Sequence, residues 1–286
     1  MSAAGTAAVG HWRRLMARAQ LGPVLLALPP LLFLVVLFLV PVLRLASLSV
    51  EGGTFEYYEK ALGDGLYVRV LIDTLLIAVY VSAICFVLGY PLAYFLVSAP
   101  PFWATVGFVL LMLPFWTSLL VRTYAWMVLL GRNGVINRAL LEAGLISAPL
   151  PLLNNLTGVL IGMVHVLLPY MVFPVYAAMR RVDPALVPAA QGLGAPGWEI
   201  FRRVYFPLTL PGVVAGLVLV FIVSVGFFIT PALLGGGRVM MIAVLIEKHV
   251  REFLNWGFAA ALSIVLLALV LAVYVGLNRL VRREAA

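Results

Sequence analysis

The feature that most constrains this sequence is a series of apolar runs, each long enough to cross a membrane. A transmembrane helix needs about 20 mostly apolar residues, and six segments meet that requirement. They are Leu21–Leu43, Leu75–Val97, Trp103–Leu130, Leu156–Met179, Leu208–Leu233 and Trp256–Leu277. Hydrophobic residues make up 64% of the chain and charged residues 10%, against roughly 45–50% and about 25% in soluble domains. The sequence therefore predicts an all-α polytopic transmembrane helical bundle with six spans.

Arginines near the ends of these runs predict the orientation of the chain. Cytoplasmic loops of membrane proteins are enriched in Lys and Arg. With six spans, the following arginines all fall on one side of the membrane: Arg13, Arg14, Arg18, Arg180, Arg181, Arg202, Arg203, Arg279, Arg282 and Arg283. The loops on the other side carry most of the acidic residues and have a net charge near zero. We therefore expect the N and C termini to be cytoplasmic.

This topology divides the chain into parts. We expect a cytoplasmic tail at 1–20, a first transmembrane helix at 21–43, a periplasmic loop at 44–66, a core domain of the remaining spans at 67–280 and a C-terminal tail at 281–286. The second span could begin as early as Tyr67, which would put Asp73 at the edge of the bilayer. The largest hydrophilic stretch, at 180–207, falls on the cytoplasmic side.

Other classes of protein are disfavoured by the motifs and the charge. The single cysteine, Cys85, can form no internal disulfide, and His11, His165 and His249 lack the spacing of a metal site. No Gly-x4-Gly-Lys-Ser/Thr sequence is present, so we expect no ATP binding through a P-loop. The net charge of +8 comes mostly from arginines flanking the apolar runs, not from a nucleic-acid-binding face. We expect no enzymatic activity, cofactor, metal or nucleic-acid partner.

The cytoplasmic loop at 180–207 has the pattern of two short helices. Asp183 suits a helix N-cap and Pro184 the first helical position. Four residues of the first helix share one face because they lie at i, i+3, i+4 and i+7: Leu186, Ala189, Ala190 and Leu193. Gly194 is a C-terminal stop.

The second of these helices is predicted to start at Pro196 and to end at Pro207. It carries an aromatic stripe of Trp198, Phe201 and Tyr205 beside Arg202 and Arg203. Such a loop fits either a basic hairpin lying on the lipid surface or a docking element whose side chains fill a groove on a cytoplasmic partner.

Several of these residues match a known signature. Ala189-Ala190, Gly194 and Pro207-Leu208-Thr209-Leu210-Pro211-Gly212 resemble the "EAA" motif of permease subunits of binding-protein-dependent ABC importers, in which Glu-Ala-Ala is followed by a glycine and then by Leu-Pro. The resemblance implies the type I ABC importer permease fold, and a loop that docks into a cleft on the ATPase subunit. The coupling residues would be Asp183, Leu186, Ala189, Ala190, Leu193, Gly194, Trp198, Phe201 and Arg202. Pro188 stands where the signature has glutamate, so that residue's contact does not carry over.

Three further segments, at 88–94, 110–137 and 228–236, resemble the spermidine/putrescine-type branch of these permeases. The resemblance covers about residues 67–280. It implies a multi-pass protein of the bacterial inner membrane that works with ABC ATPase subunits, a second permease subunit and a periplasmic solute-binding protein. ATP hydrolysis would then take place on the ATPase subunits.

Ionisable side chains in the spans are candidates for the translocation pathway. They are Asp73, Arg122 and His165, and each also has a structural interpretation. Asp73 fits a solvated carboxylate or helix cap, Arg122 a snorkelling or paired arginine, and His165 a neutral imidazole bonded to a neighbouring helix. An unpaired arginine facing the pore would repel a polyamine and favour an anionic solute.

The topology and the resemblance together predict a permease subunit that moves a small solute from periplasm to cytoplasm by alternating access. The resemblance implies that this solute is spermidine, putrescine or a related organic molecule. Two other classes share the topology. A secondary transporter would be driven by an ion gradient, and a membrane scaffold would transport nothing. An ATPase partner distinguishes the first hypothesis from both.

Overall fold

The computed structural model describes residues 27–50 and 54–284, and within them the chain is helical with no strand. The helices of the first half are α1 (Ala27–Ser49), α2 (Glu56–Gly63), α3 (Gly65–Ser98), α4 (Pro101–Met112), α5 (Leu119–Leu130) and α6 (Val135–Glu142). Those of the second half are α7 (Leu156–Met179), α8 (Leu186–Gly192), α9 (Gly197–Ile200), α10 (Phe206–Val225), α11 (Ile229–Leu234), α12 (Ile242–Arg251) and α13 (Trp256–Glu284). Five described helices are long and apolar enough to span a membrane, or up to six if a bent pair counts as one span.

The predicted spans agree with these helices to different degrees. The fourth span coincides with α7, Leu156–Met179. The second is longer than predicted because α3 begins at Gly65, where Asp64 accepts a hydrogen bond from the backbone N–H of Leu66. Helix α1 continues to Ser49, beyond the predicted end at residue 43, and the predicted loop at 44–66 contains α2. The predicted tail at 1–20 lies outside the described residues.

The third predicted span, Trp103–Leu130, is divided by a sharp bend into two helical segments. The chain bends by 104° between the segments Pro101–Trp116 and Leu119–Glu142. The bend falls at Thr117 and Ser118, whose ψ angles of 145° and 140° are extended. A tight helical turn carrying Pro114 precedes it. Proline lacks the N–H that a continuous helix needs.

Two predicted boundaries around the fifth span are also wrong. Pro207 does not end the second helix of the loop, since the segment Gly197–Val225 is one continuous helix. A wider π turn at Phe201–Tyr205 lies just before the proline, and such turns locally relax the helical bonding pattern. The membrane helix then ends at Val225 and not at Leu233, because the chain turns at Gly226 before α11 begins.

Helices α3, α7 and α10 form the core. Its fully buried side chains include Val81, Cys85, Met163, Leu167, Met171 and Val220. Glycines let the backbones approach closely: a Cβ on Gly212 would lie 2.5 Å from the carbonyl oxygen of Pro174, and one on Gly216 2.7 Å from the sulfur of Met171. Small residues serve this purpose in membrane helices generally, where packing replaces the hydrophobic driving force.

A second cluster joins α2 and the start of α3 to α12 and α13. The rings of Tyr67 and Phe258 meet edge to face with centroids 4.9 Å apart. Thr74 links the same region to α12 by accepting a hydrogen bond of 2.9 Å from the backbone N–H of Ile242. Because α3 and α7 run through the core, the molecule has two ends. We call the end with residues 180–207 the hairpin face, and the end with residues 65–74, 130–156 and 235–241 the opposite face.

Candidate coupling hairpin and translocation pathway

The first helix of the hairpin is formed by local hydrogen bonds. An Asp183 carboxylate oxygen accepts a bond of 2.9 Å from the backbone N–H of Ala185, and its carbonyl accepts one from Leu186. The predicted start of this helix at Pro184 is wrong, because the Asp183 bonds close a turn and the helix begins two residues later, with Ala185 as its N-cap. Helix α8 then runs from Leu186 to Gly192 and is followed by Gly194 with a φ of 81°. That left-handed conformation favours glycine, so any side chain placed there would strain the turn.

Pro188 is the third residue of α8. The first N–H groups of a helix have no partner within it, so the proline costs the helix no hydrogen bond. The residue that departs from the signature therefore alters the chemistry of the hairpin and leaves its backbone intact.

The hairpin exposes apolar side chains that contact little else. Leu193 is 89% exposed and Trp198 is 68% exposed. Leu186 and Ala189 are also exposed, and Ala190 is half-buried. This apolar tip carries the face predicted from the sequence. Its uncovered surface is of the kind that marks an interaction site.

The predicted aromatic stripe divides between the tip and the core. The ring of Trp198 stacks on Phe201 with centroids 5.9 Å apart. Phe201 in turn meets Tyr90 of α3 edge to face at 6.0 Å, and Tyr205 meets Tyr94 at 5.7 Å. Of the three rings, Trp198 is therefore the one left largely exposed at the tip. Phe201 and Tyr205 fasten the hairpin to α3.

Charges near the stripe are solvent-facing. Arg203 lies 3.5 Å from Glu199 in an exposed pair, which contributes little to stability. Arg202 is exposed and has no ion-pair partner in the described parts of the chain.

Sequence reasoning missed Tyr90, whose phenol oxygen lies 3.0 Å from the hydroxyl of Thr209. Its position in an unbroken apolar run gave no signal of that contact.

On the opposite face, Asp73 lines a cavity of about 330 Å³ together with Tyr80 and Arg238. The floor is apolar and includes Leu76, Ile77, Leu156 and Met240. Asp73 is exposed and forms no ion pair with any described residue, Arg122 included. A carboxylate and a guanidinium therefore share one small cavity without neutralising each other in a direct pair.

The other two candidates lie together at a different place. Trp126 of α5 donates a hydrogen bond of 3.1 Å from its indole N–H to Nδ1 of His165 on α7, so that nitrogen is unprotonated and the imidazole is bonded to a neighbouring helix. Arg122 lies one helical turn before Trp126, on the same face of α5. Its Nε is buried and has no hydrogen-bond partner among the described residues. The structure thus brings Arg122 and His165 to one helix interface and leaves Asp73 apart.

Metal binding is not indicated by the arrangement of side chains. Within residues 27–50 and 54–284, no group of three or more His, Cys, Asp or Glu side chains could hold an ion. The described residues instead offer an exposed apolar tip on the hairpin face and a small cavity that carries Asp73 and Arg238 on the opposite face.

The fold and the apolar helices define a multi-pass helical membrane protein. The family model described as binding-protein-dependent transport system inner membrane component matches residues 74–285. The chain belongs to this family, whose members are permease components.

Similar proteins support the same assignment. The spermidine/putrescine transport system permease protein PotB of Haemophilus influenzae is 36% identical over 264 residues, which cover 89% of this chain and 92% of that one. PotB of Escherichia coli is 37% identical over 234 residues, covering 81% and 85%. A chain in the crystal structure of a bacterial alginate ABC transporter in complex with alginate pentasaccharide-bound periplasmic protein has a TM-score of 0.73 at 17% identity, covering 96% and 97%. The predicted ABC importer permease fold is confirmed.

Proposed function

We propose that this chain is a permease subunit of an ATP-driven importer that carries a polyamine-like solute from the periplasm to the cytoplasm by alternating access. The observation that carries the proposal is the hairpin at residues 183–205, which exposes an apolar tip and is fastened by aromatic contacts to a core membrane helix. The names of the spermidine/putrescine relatives support the choice of solute. In this account the hairpin face and both termini are cytoplasmic.

The contacts supply a mechanical route between the two faces. An ATPase subunit would hold Leu193 and Trp198, and its movement would pass through Phe201 and Tyr205 to α3. Helix α3 is 34 residues long and carries Asp73 near its other end. A rigid helix that joins two sites can transmit a change when both sites bias the same two-state element. ATP itself is bound and hydrolysed on the ATPase subunits.

The cavity on the opposite face fits a solute that carries an ammonium group. Asp73 provides a carboxylate for it, and Tyr80 a phenol, over an apolar floor that suits methylene groups. Arg238 opposes a second positive charge at the same place, which limits how the solute sits. A loaded periplasmic solute-binding protein would deliver the solute here, and a second, related permease subunit would complete the pathway within the bilayer.

Charge insertion at the hairpin tip tests the proposal. The variant Leu193→Asp changes a side chain that is 89% exposed, so we expect little effect on the fold and a direct effect on a partner. We expect the variant to lose co-purification with the ATPase subunit and to lose ATP-dependent uptake. Ala190→Asp should act in the same direction. Gly194 is a poorer site for the test because its φ of 81° adds strain to any substitution.

Leu145→Asp is the matched control, since Leu145 is 72% exposed on the opposite face. It should retain the ATPase subunit. Normal ATPase association and normal uptake in both Leu193→Asp and Ala190→Asp would contradict the proposal.

A further inference from the structure

A second and larger cavity opens on the opposite face. Its volume is about 620 Å³, and it is lined by Leu130, Arg132 and the segment 149–154. That segment reads Pro-Leu-Pro-Leu-Leu-Asn. It continues into residues 155–156, where Leu156 lines the smaller cavity that contains Asp73. The two cavities therefore flank one short stretch of chain.

The walls of this cavity are fixed by a buried side chain. Asn137 of α6 is 0% exposed. Its amide nitrogen donates to the carbonyl oxygens of Gly131 at 3.1 Å and Leu150 at 3.0 Å, and its amide oxygen accepts from the backbone N–H of Leu150 at 2.8 Å. Asn137 thus ties the turn that carries Arg132 to the wall at Leu150. A cavity held open in this way is preorganised, which lowers the cost of binding.

The wall is also fixed at its other end. The backbone N–H of Asn154 donates a hydrogen bond of 3.0 Å to the carbonyl oxygen of Leu234 in α11. Asn155 caps α7 by accepting a bond from the N–H of Gly158. The segment 149–154 is therefore anchored to α6, α7 and α11, although it has no helix or strand of its own.

Arg132 gives the cavity its charge. Its side chain is exposed and has no ion-pair partner within the described ranges. A cationic solute would be repelled here, so this cavity differs in kind from the one with Asp73. A guanidinium at the edge of a preformed pit is suited to a carboxylate, which it can bind through two parallel hydrogen bonds.

We propose that this cavity is a docking pit for an acidic side chain of the periplasmic solute-binding protein. The inference rests on the proposed function and adds the contact by which the delivery protein is seated. Docking at the segment 149–154 places the partner beside the cavity that contains Asp73. The carboxylate enters the pit and pairs with Arg132, and Asn137 acts as a positioning residue that holds the turn at Gly131 and the wall at Leu150 in a fixed relative position.

Reversing the charge of Arg132 tests whether this contact seats the binding protein without changing the maximal ATPase rate of the complex. In the reconstituted complex, Arg132→Glu should raise the concentration of loaded binding protein needed for half-maximal ATPase stimulation by about tenfold or more, as expected for a lost or reversed charge pair. The maximal rate should be unchanged. Arg138→Glu is the matched control, because Arg138 lies on α6 nearby and does not line the cavity. Among the described residues its side chain makes one hydrogen bond, of 3.5 Å, to the carbonyl oxygen of Asn133. This control should change that concentration less than about twofold.

Labelling provides a second readout that is independent of catalysis. The single native cysteine, Cys85, is buried, so Arg132→Cys introduces one reactive thiol. A membrane-impermeant maleimide added on the periplasmic side should modify this thiol. Bound, loaded binding protein should prevent the modification. Arg138→Cys should be modified equally with and without that protein.

The outcomes distinguish failure of the inference from failure of the proposed function. Binding protein that stimulates the Arg132→Glu complex as well as the wild type would overturn the docking pit and leave the proposed function standing. So would an Arg132→Cys thiol that stays reactive when the binding protein is docked, or one already covered by the second permease subunit. A wild-type complex that no loaded binding protein stimulates would overturn both.

Discussion

The phenol oxygen of Tyr90 lies 3.0 Å from the hydroxyl oxygen of Thr209, and this contact joins α3 to α10 beside the hairpin. The Thr209 hydroxyl donates its own proton to the carbonyl oxygen of Phe206 at 2.9 Å. Tyr90 must therefore be the donor in the shared bond. Both side chains are buried, so the bond is shielded from water and has a fixed direction.

Removing that donor should loosen the link between hairpin and core. Tyr90→Phe leaves Thr209 bonded to Phe206 and costs about 1 kcal/mol, which shifts a two-state equilibrium roughly fivefold. We expect a complex that assembles normally, hydrolyses more ATP without binding protein, and imports less solute per ATP. ATPase and uptake assays on the same proteoliposomes measure both.

Tyr94→Phe is the control for this prediction. Tyr94 also packs against the hairpin, through Tyr205, but it is 49% exposed and its hydroxyl has no hydrogen bond in the described structure. If the two variants import the same amount of solute per ATP hydrolysed, the bond between Tyr90 and Thr209 does not contribute to coupling.

The close approach of α7 and α10 predicts a sensitive glycine. A Cβ at Gly212 would lie 2.5 Å from both the Cβ of Ala178 and the carbonyl oxygen of Pro174. A backbone carbonyl cannot rotate away, so the helices must separate. Gly212→Ala should destabilise the protein by about 1–3 kcal/mol, the usual cost of overpacking. Thermal unfolding in detergent measures the loss.

Gly65→Ala is the control for Gly212→Ala, because a Cβ added at Gly65 would have no atom within 4 Å. Its effect should stay within about 0.5 kcal/mol. Similar losses at the two positions would mean that the helices are not in contact at Gly212.

The free energy of unfolding should decrease as the pH is lowered, because of His249. This residue lies on α12, outside the long apolar spans. Its ring packs against Phe258 and Phe253 with centroids 4.6 and 5.0 Å apart, and its Nδ1 is buried without a partner among the described residues. Burial, and secondly the nearby charge of Lys60, lower the pKa of His249 from its usual 6.5. The unfolded chain therefore binds the proton first as the pH drops.

The direction of this pH dependence follows from the difference in proton binding between the folded and unfolded chains. Stability is retained above about pH 6.5 and falls as the pH decreases towards the lower folded-state pKa, by at most about 1.4 kcal/mol per pH unit for one proton. Denaturation of wild type and His249→Leu at pH 7.5 and 5.5 measures the effect. The variant should lose less stability on acidification. An identical loss would assign the pH dependence to other groups.

The positions of most membrane-spanning helices were predictable from the sequence because the length of an apolar run must match the thickness of the bilayer. The exact agreement at Leu156–Met179 has this origin, since Asn155 caps a helix that then stays apolar to its end. The bend at Thr117 and Ser118 was not predictable in the same way. Apolar composition continues across it, and a single proline such as Pro114 is compatible with either a kink or a full break.

The hairpin could be predicted from the sequence more easily than the cavities. Its segment from Asp183 to Gly194 is shaped by residues close in sequence, so its general form could be predicted. The smaller cavity brings Asp73 beside Arg238, which comes from a distant part of the chain. The bond between Thr74 and Ile242 joins these two parts of the chain, and no local sequence pattern indicates it.

Uptake into proteoliposomes decides between the importer and its two rivals. The chain would be reconstituted with its second permease subunit, with or without the ATPase subunits, and supplied with binding protein loaded with spermidine. We predict uptake only when ATPase subunits and ATP are both present, with no response to an imposed proton or sodium gradient. Gradient-driven uptake in vesicles that lack the ATPase subunits would contradict the account.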